Sequence, residues 1–147
     1  MSFPKMVRVR QSFIAPAVSD VRAAVRAELQ ALNVAARVKA GQSIAIPAGS
    51  RGISNIVTIL DTVVQEMKAV GLAPFIFPAM GSHGGATAEG QREVLATYGI
   101  TEERLGVPIC ASMEVIEVGR TPRGIPVLVD KIAAEAETLE VGEPREA

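Results

Sequence analysis

The sequence predicts an α/β fold, namely a Rossmann-like three-layer domain with a mostly parallel sheet and a C-terminal hairpin. Hydrophobic residues make up 48% of the 147 residues, but aromatic residues only 3%. The core must therefore consist of small aliphatic side chains, which is typical of parallel strands buried on both faces. Short apolar runs also alternate with helix-like segments, the order that produces right-handed crossovers between parallel strands.

The first half of the chain contains the clearest elements. Residues 6–12 alternate apolar and charged side chains and predict a half-exposed edge strand. Residues 20–32 have helical periodicity and begin at a residue suited to cap a helix. Residues 43–47 form an apolar run that predicts a central strand. The apolar stripe over residues 53–67 predicts a helix that a glycine ends.

The cycle of strand, loop and helix repeats in the second half. Residues 73–80 predict a strand, residues 81–86 a loop, and Thr87 the start of a helix. The side chains expected to face inward from this helix are Val94, Leu95 and Tyr98.

Shorter elements are predicted toward the C-terminus. Residues 101–103 indicate one helical turn, and residues 107–111 form another apolar stretch. A Thr-Pro-Arg-Gly turn separates strand-like residues 114–120 from 125–129, which predicts a hairpin. Asp130 is suited to cap a last helix that reaches about residue 136.

Length and pattern together indicate one domain with a short tail. A chain of 147 residues has room for a single domain of ordinary size. Residues 1–136 carry all the predicted elements, whereas residues 137–147 are acidic and have little core-forming pattern. We therefore expect an α/β domain over residues 1–136, followed by an acidic tail.

Charge and composition argue against two classes of partner. The chain has 15 Lys and Arg residues against 16 Asp and Glu, a net charge of −1, so it lacks the concentrated positive charge that binds nucleic acid. The longest segment without charged residues, 69–88, is broken by glycines and prolines, which argues against a membrane-spanning helix. A lone cysteine, Cys110, forms no internal disulfide and favours a reducing, cytoplasmic location.

The first glycine-rich loop follows the first central strand and reads AGSRG over residues 48–52. Glycines let the backbone approach a ligand closely, a helix N-terminus presents unpaired N–H groups, and Arg51 adds a forked donor for phosphate or carboxylate. This pattern predicts an anion-binding loop whose cofactor-binding residues are Gly49, Ser50, Arg51 and Gly52. The alternative is that the glycines only serve a tight turn and that Arg51 lies in solvent.

The second glycine-rich loop, residues 80–87, contains His83, the one histidine of the sequence. An imidazole can accept or donate a proton near neutral pH, and neighbouring glycines leave space for a substrate beside it. We predict that His83 is the catalytic general acid/base and that the substrate-binding residues are Arg51, Ser82, Gly84, Gly85 and Thr87. The alternative is an exposed or helix-capping histidine in a flexible loop.

Both loops follow a strand and precede a helix. If the two strands are parallel, the loops leave the same edge of the sheet, where α/β proteins bind their ligands. Other chemistries have less support, because a serine hydrolase needs a Gly-x-Ser-x-Gly elbow that the sequence lacks. No Cys or His pattern has metal-ligand spacing, and Cys110 is predicted to be a small core residue rather than a nucleophile.

Three segments are similar to one known family. Residues 49–53 (GSRGI), 78–87 (PAMGSHGGAT) and 99–101 (GIT) resemble the N-terminal domain of the lactate racemase family of nickel-pincer-nucleotide enzymes. In element order the similarity extends over about residues 3–136. Members of that family often carry an acidic residue at the position of Ala48.

The resemblance implies a racemase or epimerase of 2-hydroxy acids. It also implies a nickel-bearing, nicotinate-derived cofactor that exchanges hydride with the substrate, while paired histidines exchange the hydroxyl proton. His83 corresponds to the first of those histidines, and Ser50 with Arg51 to the loop that holds cofactor phosphate or substrate. The family's second catalytic histidine, its cofactor-bearing lysine and its nickel-binding histidine lie beyond this region.

Two hypotheses remain open. The first is that the chain is the N-terminal catalytic and ligand-binding domain of a longer 2-hydroxyacid racemase or epimerase, with no cofactor bound to this chain alone. It would be inactive by itself, because one histidine cannot serve both sides of the substrate. The alternative is a non-catalytic module that binds a nucleotide or another anion. The expected partners are a small anionic 2-hydroxy acid or a phosphate-bearing ligand and, because a short sheet leaves exposed edges, further copies of the chain in a homo-oligomer.

Overall fold

The computed structural model describes residues 6–14, 17–50 and 52–139. The helices are α1 (Val21–Leu32), α2 (Ile56–Ala69), α3 (Ala88–Thr97), α4 (Glu102–Leu105) and α5 (Lys131–Glu135), with single 3-10 turns at Val34–Ala36 and Gly84–Ala86. The strands are β1 (Ser43–Ala48), β2 (Ala73–Pro78), β3 (Val115–Arg120), β4 (Pro126–Asp130) and β5 (Thr138–Leu139). Within the described ranges, no helix has both the length and the apolar character needed to cross a membrane.

A small parallel sheet in the order β2-β1-β5 forms the centre of the molecule. β1 and β2 pair along their whole length, from Ser43 opposite Ala73 to Ala48 opposite Pro78. The predicted apolar stretch of residues 107–111 lies along the other edge of β2, where a single parallel bridge joins Ile76 to Ile109. The fold is therefore α/β, as predicted.

The main core lies between one face of this sheet and helix α2. Alternate residues of β1 point to this face, and α2 presents its apolar stripe to them. The largest fully buried side chains of the molecule are Met67, Ile76, Leu95, Ile100, Leu105, Val64 and Thr62. Helix α1 lies outside α2 and is tied to it by ion pairs from Arg22 to Asp61 (2.6 Å) and from Arg26 to Glu66 (2.9 Å). Helices therefore cover this face in two successive layers.

The opposite face of the sheet has a smaller cover. Ala45 and Phe77 pack there with Ala133 of α5, and these three residues form a separate cluster. Asp130 caps this short helix by accepting hydrogen bonds from the N–H groups of Ile132 (2.8 Å) and Ala133 (3.2 Å). One five-residue helix on a three-stranded sheet is less than the full Rossmann-like, three-layer domain that the sequence predicted.

Strands β3 and β4 form a separate antiparallel pair. The segment between them closes through a hydrogen bond from the Gly124 N–H to the Thr121 carbonyl (2.8 Å). All six residues of β3 are exposed, including Val115 and Val118 at 54% each. This two-stranded ribbon therefore presents apolar side chains to its surroundings.

Three details differ from the sequence predictions. Residues 6–12 form no strand, and Val7 and Val9 are more than four-fifths exposed, because no described strand lies beside them to complete a sheet. Tyr98 was expected to face inward but is 44% exposed, since it follows the last helical residue of α3 as its C-cap. Helix α2 begins at Ile56 rather than residue 53, because Asn55 adopts a left-handed conformation with φ of 60°.

The sheet also extends past residue 136. β5 pairs with β1 through Ile44 opposite Thr138 and Ala45 opposite Leu139. These two residues lie in the segment that the sequence analysis assigned to an acidic tail. Two residues carry no pattern that predicts a strand, but hydrogen bonding to the neighbouring β1 stabilises them as one.

Candidate functional site

The two glycine-rich loops leave the same edge of the sheet. β1 and β2 are parallel and end in register, with Ala48 opposite Pro78. The Ala79 N–H donates a hydrogen bond to the Ala48 carbonyl (2.9 Å), so the two chains still run together where the loops begin. The predicted convergence of the loops at one sheet edge is confirmed.

A hydrogen bond between Ser50 and His83 joins the two loops. The Ser50 Oγ lies 2.5 Å from the His83 Nδ1, across 33 positions of sequence. Ser50 is only 9% exposed and His83 is half-buried. Because the hydroxyl can donate to a neutral ring or accept from a protonated one, Ser50 can hold the imidazole in place in both protonation states.

The loop that carries His83 is a sequence of tight turns. The His83 N–H donates to the Met80 carbonyl (3.3 Å), and the Ala86 N–H donates to the Ser82 carbonyl (3.2 Å). Gly81, Gly84 and Gly85 all have φ near +60°, a backbone conformation that residues with a side chain adopt only with strain. These glycines are therefore needed to turn the backbone.

Gly84 has a further role, since it packs directly on the first turn of α3. A Cβ on Gly84 would lie 2.4 Å from the carbonyl carbon of Gly90, and a Cβ on Gly90 would lie 1.9 Å from the Gly84 oxygen. The neighbouring glycines were expected to leave space for a substrate. At Gly84 this reason is wrong, because helix α3 fills that space.

Thr87 caps the same helix. Its hydroxyl oxygen accepts from the Gly90 N–H (3.1 Å) and donates to the Gly84 carbonyl (3.1 Å). Both hydrogen-bonding directions of this hydroxyl are thus used within the loop. Ser82 and Gly85 are exposed beside it. Substrate binding by these residues stays a prediction.

Gln91 was not predicted from the sequence, although it supports the loop from helix α3. Its side chain is buried at 4% exposure, and its Nε2 donates a hydrogen bond to the Gly81 carbonyl (2.8 Å). A helical spacing could have found it, because Gln91 lies four residues before the buried Leu95 and so on the inward face of α3. A polar residue at such a position usually has a partner to satisfy.

The first loop has an open backbone. A Cβ on Gly49 or Gly52 would meet nothing within 4 Å, and Gly52 has φ of +85°. Ala48 is 1% exposed and belongs to the main core. Helix α2 then starts without a side-chain cap, so its first N–H groups have no such acceptor. Arg51, the predicted anion ligand, lies outside the described residues.

Cys110 is partly buried in the stretch beside β2. Burial raises the pKa of its thiol; the nearby Arg92 opposes that rise, and Glu102 adds to it. The thiolate is the reactive form of cysteine, so a raised pKa suits a structural residue better than a nucleophile. Among the described residues, no three His, Cys, Asp or Glu side chains come together as a metal site.

Comparison with known proteins identifies one family. A family model described as the lactate racemase N-terminal domain matches residues 5–141. Neither the curated proteins nor the solved structures include a match to the chain. The matched range includes both loops, the antiparallel pair of β3 and β4, and β5.

The contact between Gly84 and Gly90 predicts a large effect of one methyl group. We expect Gly90→Ala to destabilise the protein by about 1–3 kcal/mol, because the new Cβ would overlap backbone that cannot move aside cheaply. Gly49→Ala is the matched control and should change stability by less than about 1 kcal/mol, since its site is open. Urea unfolding measures both. Equal stabilities of the two variants would contradict the close contact.

The surroundings of Cys110 predict how its reactivity responds to charge. The raised pKa should make alkylation by iodoacetamide slower than that of a cysteine in an unstructured peptide, with the rate rising as pH increases. Arg92→Ala should slow alkylation further and Glu102→Gln should speed it, each by about two- to fivefold, the size of an interaction between exposed charges. Rates that both changes shift in the same direction would contradict this account.

Proposed function

Because the chain belongs to the lactate racemase N-terminal domain family, we propose that it is the ligand-presenting domain of a 2-hydroxyacid racemase or epimerase. The observation that carries the proposal is the hydrogen bond between Ser50 and His83. It brings a group capable of proton transfer against a loop with open backbone, at the sheet edge where α/β proteins bind ligands. A binding loop and an acid/base group are two of the parts that such a reaction needs.

His83 is assigned the role of general acid/base. When the hydrogen on C2 of a 2-hydroxy acid leaves as hydride, the hydroxyl must lose its proton for the carbonyl to form. We assign this proton exchange to the imidazole of His83, which Ser50 holds at Nδ1. The ring returns the proton when the isomer that it deprotonated forms again. Ser50 acts as a positioning residue for the imidazole.

The substrate carboxylate or a cofactor phosphate is assigned to the first loop. Gly49 and Gly52 leave their surroundings open, and the start of α2 offers backbone N–H groups with partial positive charge. Arg51 would add a bidentate donor for either anion. The predicted substrate-binding set is completed by Ser82, Gly84, Gly85 and Thr87. The two glycines would contact the substrate through backbone groups.

The lactate racemase family in general depends on a nickel-pincer nucleotide. The open loop of Gly49 and Gly52 fits the phosphate of such a group, whereas the described residues contain no cluster of ligands for its metal. The chemistry that the group supplies when bound is reversible uptake of hydride from the substrate. We therefore assign phosphate binding to this domain.

We also infer that this domain acts together with a second one. Racemisation requires proton exchange on both sides of the substrate, and this sequence has a single histidine. The isolated chain should accordingly be inactive. Helix α5 packs on Ala45 and Phe77 through Ala133. We interpret this helix as the start of a second helical layer in a Rossmann-like, three-layer domain. The lone cysteine supports a cytoplasmic location.

The test is racemisation by this domain joined to a lactate racemase C-terminal domain and supplied with the cofactor. His83→Ala should lower the rate by about 10²–10⁴-fold, the usual contribution of general acid/base catalysis. Ser50→Ala should have a smaller effect. Arg26→Ala is the control, since it removes only an ion pair between α1 and α2. Chiral chromatography of the hydroxy acid gives the rates.

Retention of the full rate by His83→Ala would contradict the assignment. If the chain bound phosphate-bearing ligands through Arg51 but never supported racemisation, the non-catalytic anion-binding module would be the better description. Calorimetry with inorganic phosphate and the Arg51→Ala variant separates these outcomes.

Self-association is part of the proposal, and the exposed apolar side chains of the β3–β4 hairpin support it. Light scattering should show an oligomer at high concentration, and Val118→Glu should shift it toward the monomer, because the charge would be desolvated in an interface. Val9→Glu is the control, as Val9 is 82% exposed outside the hairpin. A wild-type protein that stays monomeric would contradict self-association.

A further inference from the structure

A cavity of about 400 Å³ lies beside the His83 loop, between the carboxyl end of β2 and the β3–β4 hairpin. Its size is within the range of small-molecule sites, about 300–1,000 Å³. Met80 and Gly81 form part of its wall. The same Met80 accepts the hydrogen bond from the His83 N–H, so the loop that carries the imidazole begins at the cavity wall.

Gln91 is the unusual residue of this wall. It lines the cavity although only 4% of it is exposed. The Gly81 carbonyl requires a donor, which fixes the Gln91 Nε2 toward it. No described residue donates a hydrogen bond to the Gln91 Oε1. A buried amide oxygen of this kind normally has a partner, so a donor from a ligand is expected there.

The remaining wall restricts the chemistry of that ligand. Most of it is apolar, with Phe77, Met80, Met113 and Leu128 among the lining side chains. Asp130 adds a carboxylate, whose Oδ1 caps helix α5. A second carboxylate would be repelled by Asp130, whereas a neutral group with an apolar body and one hydrogen-bond donor suits every part of the wall.

We propose that this cavity receives the side chain of the 2-hydroxy acid, and that this side chain is neutral, of the size of an aromatic ring, and carries a donor that the Gln91 Oε1 accepts. The inference rests on the proposed function, since it places the reacting end of the substrate at His83. The methyl group of lactate would leave most of the cavity empty. Gln91 is thus a specificity residue rather than a catalytic one.

The experiment uses the full chain and two simple probes, para-cresol and para-methylanisole, which differ in the donor. The ε-methyl NMR signals of Met80 and Met113 report on the cavity, while that of Met67 reports on the core under α2. We expect para-cresol to shift the first two signals and to bind about five- to tenfold more tightly than para-methylanisole, the worth of one hydrogen bond.

Gln91→Met keeps the length of the side chain and removes the amide. It should abolish the preference for para-cresol, so that the two probes bind with similar affinity. Leu128→Trp is the second variant, because Leu128 lines the cavity yet is 55% exposed, so a larger side chain there can obstruct the cavity without disturbing the core. It should weaken both probes. Unmoved Met80 and Met113 signals, or a preference that survives Gln91→Met, would overturn the inference.

A third ligand separates this inference from the proposed function. Para-hydroxyphenyllactate adds the hydroxy acid to the same ring and should bind more tightly than para-cresol, with the gain lost in His83→Ala. If para-cresol binding depends on Gln91 but the hydroxy acid adds nothing, the cavity stands and the role of His83 as substrate ligand fails. If para-cresol does not bind, the inference about the cavity fails whatever the hydroxy acid does.

Discussion

The parallel, in-register pairing of β1 with β2 is the constraint on which the candidate site depends. Strands that end together, with Ala48 opposite Pro78, release their loops at one edge of the sheet. Ser50 follows two residues after the first strand and His83 five residues after the second, so short loops suffice to bring them within hydrogen-bond distance. A register shift by one residue would turn the buried side chains of β1 to the other face and separate this pair.

The predictions that were confirmed rest on signals within a few residues of one another. Asp20, Thr87, Thr101 and Asp130 each accept a backbone N–H hydrogen bond at the start of a helix, as short polar residues do at that position. The strand at residues 6–12 was predicted from alternation alone, which says nothing about whether a neighbouring strand exists. β5 was missed for the converse reason, since two residues carry no periodicity and only the edge of β1 makes them a strand.

The candidate site shows the same contrast between local sequence signals and contacts that form only in the folded chain. The local sequence pattern identified both loops and His83, because a histidine among glycines directly after a strand can be recognised within a few residues. It could not identify the contact of Gly84 with Gly90, which depends on how closely the loop lies on α3. Nor did it find Gln91, whose partner, the Gly81 carbonyl, is known only once the loop has been folded back onto the helix.

These missed residues explain how a glycine-rich loop can present its histidine in a defined position. Glycine widens the conformations open to an unfolded loop, so order must come from contacts outside it. Helix α3 supplies them at three points: the backbone of Gly90 against Gly84, the Thr87 hydroxyl on the Gly84 carbonyl, and the Gln91 amide on the Gly81 carbonyl. Ser50 adds a fourth point from the other loop. Gln91 also lines the cavity. The amide that orders the His83 loop is therefore in a position to contact a ligand in that cavity.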